Sequence, residues 1–180
     1  MTADVDVGAF PREREVSPPG CGGPLARREE AVAVIGIGNC FRRDDGVGPA
    51  VAAAVEARRI AGVRVLTDAA DPVAVLDTWA GARLAVLIDA VVTAPPRPGR
   101  IHRCAMDQLG GLPAVSSHGM DVATLLALGE ALQRMPADVV VLGVEAGETG
   151  NGPGLTPDVA AVVPLVVDTV VAEIEGRHRT

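Results

Sequence analysis

The sequence predicts an α/β fold, with a three-layer, mainly parallel twisted sheet and helices on both faces. Short runs of Val, Ile, Leu and Ala alternate along the chain with longer stretches of helical periodicity. The runs at residues 31–37, 84–88 and 139–144 are apolar at nearly every position, as in strands buried on both faces of a parallel sheet. Strand runs that alternate with amphipathic helices are typical of βαβ units, whose strands lie parallel.

Composition excludes several classes of function. The 180 residues suit one domain with a sizeable core, since 48% of them are apolar. Aromatic residues make up only 2%, and the formal net charge is −7. Nucleic-acid binding needs stacking aromatics or a basic surface, so we expect no nucleic-acid partner. Cys21, Cys40 and Cys104 form no Cys-x-x-Cys pair, so they support neither a disulfide framework nor a zinc cluster and favour a reducing compartment.

The first 28 residues have the composition of a disordered extension, and residues 29–180 are predicted to form a single α/β domain. Proline, glycine and charged residues interrupt the first segment, which therefore cannot bury a core. It lacks the apolar centre of a signal peptide. The longest apolar stretch, residues 159–172, contains Pro164 and Asp168 and has amphipathic spacing. We expect a cytoplasmic monomer with no membrane segment.

The first strand, residues 31–37, is predicted to end at a sharp turn. Gly38 and Asn39 stand at this point, and both residue types tolerate the positive φ of such turns. Two adjacent carboxylates, Asp44 and Asp45, follow before the helix begins. Polar groups at the carboxyl edge of the sheet are typical of the binding sites of open α/β folds.

Two familiar phosphate-binding motifs do not match this turn. A dinucleotide fingerprint that starts at Gly36 requires glycine at position 41, which is Phe41. A P-loop requires Gly-Lys-Ser/Thr, whereas residues 42–45 are Arg-Arg-Asp-Asp, and two acids would repel a phosphate. Pro49 fits only a first helical turn, so the helix is expected to begin close to Gly48. Both acids would then lie in the turn, free to face a cation or a polar protein group.

The remaining elements follow from the same patterns. Predicted strands cover residues 63–66, 84–88, 101–105 (an edge strand) and 139–144, and predicted helices cover residues 47–59, 72–79 and 121–134. A final helix begins after a glycine-rich loop, with Thr156 as its N-cap and Pro157 as its first residue.

Three side chains with metal-binding or acid–base chemistry are predicted to meet at one edge of the sheet. Asp45 follows the first strand, Asp89 follows the third, and His118 lies in a loop that enters a helix. Two carboxylates and an imidazole suit zinc or nickel, whereas magnesium and calcium rarely recruit histidine. We expect all three in exposed loop positions. Each one alone also fits a simpler interpretation: a helix cap, a solvated turn or an ordinary loop histidine.

Other reactive residues give weaker signals. Cys40 beside the turn is a possible nucleophile, but no base is near in sequence, and a small buried residue is the simpler interpretation. Glu145 ends a strand at the same edge and is either a substrate contact or an ordinary loop acid. His102 and His178 lie among charged residues and are weaker candidates than His118.

The combination of these segments resembles the hydrogenase maturation endopeptidases, which process the large subunit of nickel–iron hydrogenases. The resemblance extends from about residue 31 to 176 and includes the Gly-x-Gly-Leu-Thr-Pro segment at 152–157. The segments that carry it are, in order, Gly36-x-Gly38-Asn39, Arg43-Asp44-Asp45-Gly46-x-Gly48, Ile88-Asp89-Ala90 and Ser117-His118-Gly119.

The resemblance implies a phosphorylase/hydrolase-like α/β domain that removes a short C-terminal peptide from the large-subunit precursor after nickel insertion. The family's metal-contacting positions fall on Asp45, Asp89 and His118, and the first two are also the candidate catalytic acids. Nickel would arrive within the substrate, and no organic cofactor is implied.

Predicted substrate-binding residues are Gly38, Asn39, Asp44 and Asp71. The loop at residues 68–72 reads Asp-Ala-Ala-Asp-Pro, where family members commonly have Asp-Gly-Gly-Thr or a Gly-Glu-Pro variant. This departure leaves the particular hydrogenase partner open.

Two questions stay open from sequence. The mechanism is either metal-assisted, with a metal polarising the scissile carbonyl, or of the aspartic type, with Asp45 and Asp89 as an acid/base pair. The alternative function is a non-catalytic nickel-sensing checkpoint module that docks the precursor without cutting it. The fold alone also permits a small-molecule hydrolase.

Overall fold

The computed structural model describes residues 31–105 and 122–176. Its strands are β1 (Val32–Gly36), β2 (Val63–Leu66), β3 (Leu84–Val91), β4 (Ile101–Ala105) and β5 (Val139–Glu145). Its helices are α1 (Val47–Ala57), α2 (Pro72–Trp79), α3 (Val122–Ala131) and α4 (Pro157–Gly176). The predicted N-terminal extension and His118 lie outside the described residues.

The described strands form a five-stranded sheet in the order β2-β1-β3-β5-β4. The pairs β1–β2, β1–β3 and β3–β5 are parallel, and β4 runs antiparallel to β5 at one edge. The predicted mainly parallel sheet is therefore confirmed, as is the edge strand at residues 101–105.

The central strands are buried on both faces because helices cover each side. In β3, Leu84, Val86 and Ile88 belong to the core under α1 and α4. Ala85 and Leu87 point the other way, into the core under α2 and α3. Burying a Val or Leu side chain fully stabilises the fold by about 1.5–3 kcal/mol, which explains why these strands are apolar at nearly every position.

Strand β3 is longer than the sequence predicts. It continues past Ile88 to Val91 because β5 supplies backbone partners over the same length. Asp89 therefore lies inside the strand, directly opposite Gly143, rather than in the loop that follows it. The helices α1 and α3 end two or three residues earlier than predicted, at Ala57 and Ala131.

The segment between β1 and α1 forms one 3-10 turn, Arg43–Gly46. The regular helix begins at Val47, one residue from the position that Pro49 predicted. The two acids thus lie in this turn, as expected, although the direction of their side chains differs from the prediction. None of the helices that the structure describes combines the length and the apolar character needed to cross a membrane.

Candidate active site

The site lies where the order of the strands changes direction. The chain passes from β1 to its neighbour β2 on one side, and then returns to β3 on the other side of β1. At such a switch point the connections leave the sheet on opposite faces, which opens a crevice at the carboxyl ends of the two strands. Asp45 follows β1 and Asp89 lies near the carboxyl end of β3, so both acids stand at this point.

Glycines bring the turn, α1 and β3 into close contact. A Cβ atom on Gly48 would lie 2.2 Å from the carbonyl oxygen of Ile37 and 2.5 Å from that of Ile88. Gly38 has φ +125°, and a Cβ atom there would lie 2.0 Å from the carbonyl oxygen of Asp45. The backbone N–H of Ile37 also donates to the carbonyl oxygen of Ile88 at 2.8 Å. The turn that carries Asp45 is therefore packed against the residue that precedes Asp89.

Asp45 is fully buried, and its carboxylate faces the glycine turn. The backbone N–H of Asn39 donates to Oδ2 of Asp45 at 2.7 Å, and Oδ1 of Asn39 accepts from the N–H of Phe41 at 2.9 Å. This second bond closes a local turn that fixes Asn39. The prediction of an exposed loop position for Asp45 is wrong, because α1 and the turn enclose it.

Asp89 is also buried, with 4% of its surface exposed. Its place within β3 explains this, since neighbouring strands flank it and Gly143 lies opposite it. The prediction of an exposed loop position is therefore wrong for Asp89 as well. Gly143 has no side chain, so the strand beside Asp89 adds no side-chain bulk at this position.

Asp44 faces away from the turn and into the protein. Its Oδ2 accepts from the N–H groups of Gly147 and Glu148 at 2.8 and 2.9 Å and from Oγ1 of Thr156 at 2.9 Å. Its Oδ1 accepts from the N–H of Thr156 at 2.6 Å. Burial raises the pKa of Asp44, but these four hydrogen bonds outweigh burial and hold the pKa below the ordinary aspartate value.

The prediction that Asp44 is free to face a ligand is therefore wrong. Its carboxylate is fully buried and holds the loop between β5 and α4, so contact with a substrate through this side chain is not supported. Backbone bonds join the same loop to the turn. They run from the N–H of Arg43 to Gly152 O, from the N–H of Asp44 to Glu148 O, and from the N–H of Gly152 to Phe41 O.

A cleft of about 650 Å³ opens beside the turn. It is bordered by Gly38 and Asn39, two of the predicted substrate-binding residues. The rest of its lining is largely apolar and consists of Cys40, Phe41, Pro49, Ala50, Ala53, Ala70 and Leu155, together with Arg43, Gly46, Thr67, Asp68 and Gly154. Phe41 is 73% exposed, an unusual position for one of the few aromatic residues of this chain.

Two further predictions concern residues around the cleft. Cys40 is exposed, so its interpretation as a small buried residue is wrong. Asp71, the fourth predicted substrate-binding residue, caps α2 by accepting from the N–H of Val73 at 2.9 Å. A substrate contact by Asp71 stays a prediction.

Glu145 forms a second buried carboxylate centre, at the end of β5. It is 1% exposed and accepts from Oγ1 of Thr93 at 2.8 Å, from the N–H of Arg97 at 2.7 Å and from Nε2 of His102 at 2.6 Å. Burial raises the pKa of Glu145, but the bonds from Thr93, His102 and Arg97 outweigh it and lower the pKa below the usual value. Since an ionised carboxylate can only accept, Nε2 of His102 carries the proton.

The interpretation of Glu145 as an ordinary loop acid is therefore wrong, and sequence reasoning missed its pairing with His102. The two residues are 43 positions apart. They meet only because β4 returns antiparallel beside β5, with His102 in register with Gly143. An acid at the end of an apolar strand is the one sequence signal that pointed to this centre.

The predicted metal site stays a prediction. Among residues 31–105 and 122–176, no group of three or more His, Cys, Asp or Glu side chains could hold a metal ion. The third predicted ligand, His118, is outside these ranges. Asp45 and Asp89 supply carboxylate oxygens at one sheet edge, which fits two of the three donors that the hypothesis requires.

The family to which this chain belongs is established by comparison with known proteins. The model of the hydrogenase maturation protease family matches residues 51–173, a range that includes Asp89 and begins after Asp45. The chain is therefore a member of the hydrogenase maturation protease family, and the predicted family membership is confirmed.

Individual relatives have low sequence identity to this chain. The hydrogenase 2 maturation protease of Escherichia coli is 24% identical over 147 residues, which cover 79% of this chain and 90% of that protein. The structure of the E. coli hydrogenase maturating endopeptidase HybD matches with a TM-score of 0.71 at 20% identity, over 82% of this chain and 93% of that chain. The [NiFe] hydrogenase maturation protease HybD of Thermococcus kodakarensis matches with a TM-score of 0.66 at 24% identity, over 80% and 99%. These structures confirm the fold class.

Proposed function

We propose that this chain removes the C-terminal peptide of a nickel–iron hydrogenase large-subunit precursor after nickel has been inserted into it. The observation that carries the proposal is the placement of two buried acids, Asp45 in the turn after β1 and Asp89 near the carboxyl end of the neighbouring strand β3. An open cleft borders the same turn at Gly38 and Asn39. Removing a carboxylate from water is costly, and acids at the carboxyl edge of an open α/β sheet are placed where such folds bind their ligands. Membership of the maturation protease family supports the same conclusion.

The substrate segment enters the apolar cleft and reaches the acids past Gly38 and Asn39. Phe41 and Leu155 lie along this path and offer apolar contact to the side chains of the peptide. The backbone of Phe41 is held in place, since its N–H donates to Oδ1 of Asn39 and its carbonyl oxygen accepts from the N–H of Gly152. An aromatic ring presented from a fixed backbone is a suitable anchor for an apolar side chain of the peptide.

In an aspartic-type reaction, the two acids divide the proton transfers. One acid in its carboxylate form takes a proton from the attacking water, and the other in its protonated form gives a proton to the departing amine. The bond from the N–H of Asn39 to Oδ2 of Asp45 fixes the orientation of this carboxylate.

In a metal-assisted reaction, Asp45, Asp89 and His118 would hold a divalent ion, which would polarise the scissile carbonyl. The nickel of the precursor is cargo of the substrate in either case. A cleavage assay separates the two mechanisms. The protease is first dialysed extensively against a chelator, and the nickel-loaded precursor is repurified before the two proteins are mixed. Full activity supports the acid pair alone, and activity restored only by added metal supports the ion.

The test of the proposed function follows the mass of the precursor C-terminus. Nickel-loaded precursor should lose its C-terminal peptide and nickel-free precursor should not. Asp45→Asn and Asp89→Asn should each lower the rate by at least about 10³-fold, since each removes an acid that the reaction requires. A protein that binds nickel-loaded precursor without ever changing its mass would instead be a checkpoint module.

A further inference from the structure

Asp44 and Asp45 are neighbours in sequence, but their carboxylates point to different parts of the molecule. Asp45 bonds the N–H of Asn39 in the glycine turn. Asp44 bonds the loop between β5 and α4 through Gly147, Glu148 and Thr156. Two adjacent residues of one 3-10 turn therefore hold two separate segments of the chain.

The loop held by Asp44 forms one wall of the cleft. Gly154 and Leu155 line the cleft, and Thr156 follows them directly. Thr156 donates to Asp44 from both its backbone N–H and its hydroxyl, at 2.6 and 2.9 Å. Any movement of the Asp44 carboxylate would therefore shift this wall relative to the acid at position 45.

We propose that Asp44 is a positioning residue for the cleavage reaction, because its buried carboxylate fixes the turn that carries Asp45 to the loop that forms a wall of the substrate cleft. The inference rests on the proposed function, in which Asp45 is the catalytic acid. Asp44 touches neither the substrate nor the reacting atoms. Its effect is to keep the catalytic acid and the bound peptide in one fixed arrangement.

The hydrogen-bond chemistry explains why a carboxylate is needed at this position. Four donors converge on two oxygen atoms. An asparagine in the same place would turn its NH₂ group toward at least one of these donors, because an amide accepts at only one of its two ends. The loop would then shift relative to the turn, although the backbone bonds between them remain, and a misplacement of about 1 Å costs about 10²-fold in rate.

The experiment compares Asp44→Asn with the wild type on a purified nickel-loaded large-subunit precursor, at a temperature where both proteins are fully folded by circular dichroism. We expect kcat to fall about 10²-fold. Thr156→Val removes a single hydroxyl bond to Asp44 and should lower kcat about fivefold. Thr156→Ser keeps a hydroxyl and should restore most of this loss.

The matched control is Thr93→Val, which removes a hydroxyl bond of similar length from a different buried carboxylate, Glu145. It should cost similar stability to Thr156→Val but change kcat less than twofold. Equal losses of kcat in both threonine variants, or an Asp44→Asn protein within threefold of wild type, would overturn the inference.

A second measurement does not depend on activity. The amide of Asn39 is bonded to Asp45, so its hydrogen-exchange protection reports the position of that carboxylate. Protection of this amide should fall in Asp44→Asn and stay unchanged in Thr93→Val. Unchanged protection in Asp44→Asn would count against the inference, even if the wild-type protein does not cleave the precursor. If Asp45→Asn retains cleavage while Asp44→Asn loses protection, the proposed catalytic acid is wrong and the positional link stands.

Discussion

Asp44 and Glu145, two of the four buried carboxylates among the described residues, solve the same physical problem with different donors. Each is withdrawn from water and keeps its charge because several hydrogen bonds converge on it. Among the described residues, the donors to Asp44 are three backbone N–H groups and a threonine hydroxyl. Glu145 also accepts from the imidazole of His102 on the edge strand.

The different donors of Asp44 and Glu145 correspond to the different positions of the two residues in the fold. Asp44 lies beside the candidate catalytic acid and uses donors that do not titrate, so its geometry is insensitive to pH over the range where it is ionised. Glu145 fixes residues 93–102 at the far side of the sheet, where the side chain of one donor, His102, is 24% exposed. A buried carboxylate at this edge is therefore not by itself a sign of catalysis, because its partners decide its role.

The largest effect on stability is expected from Asp44→Ala. The substitution leaves three backbone N–H groups and a hydroxyl without their acceptor in the interior, which should lower the free energy of unfolding by about 3–4 kcal/mol. Urea denaturation measures this loss. Asp71→Ala, which removes one exposed cap bond, is the control and should cost about 1 kcal/mol. Equal losses in the two variants would show that the Asp44 bonds contribute little.

Glu145→Gln is expected to cost about 2 kcal/mol near neutral pH, because the amide cannot accept at both ends. The pKa of Glu145 is lowered in the folded protein from the usual value of 4.5. Its contribution is therefore fully present above pH 4.5 and is lost as the pH falls through the lower folded pKa. Unfolding measured from pH 7 to pH 3 should show the difference between wild type and variant shrinking below about pH 4.5. A constant difference would contradict this account.

A smaller and local effect is expected from His102→Ala. Glu145 keeps its bonds from Thr93 and Arg97, so the loss should be about 1 kcal/mol. Hydrogen exchange should become faster at the amides of β4 while those of β1 stay protected, because the two strands lie at different places in the sheet. Faster exchange throughout the sheet would mean that this bond supports the whole fold.

The smallest expected effect is the coupling energy between the hydrogen bonds of Asp44 and those of Glu145. Thr156→Val and Thr93→Val act on different carboxylates, so their stability losses should add to within about 0.5 kcal/mol in the double variant. Gly147 lies between the centres, since a Cβ atom there would meet Pro98 at 3.1 Å and Oδ2 of Asp44 at 3.4 Å. A larger coupling energy would show that the two loops move together through Gly147.

Much of the fold was predictable because it depends on local patterns. Sequence patterns identified all five described strands, with residues 101–105 expected at an edge. Pro157 and Thr156 marked the start of α4, and Pro49 placed the start of α1 within one residue. The edge that carries Asp45 and Asp89 was also predictable, since parallel strands bring their carboxyl ends to one side. The motifs in this order were sufficient to indicate the family, which the comparison confirmed.

The sequence by itself therefore determined which residues form strands and helices, which edge carries the acids, and which family the chain belongs to. Only the tertiary structure decided where the carboxylates point, that Asp89 lies inside a strand lengthened by its pairing with β5, and that Glu145 meets His102. The physical reason is distance along the chain. Propensity and periodicity act over a few residues, whereas the donors that hold Asp44 come from more than 100 positions away and are brought to it by the packing of the sheet.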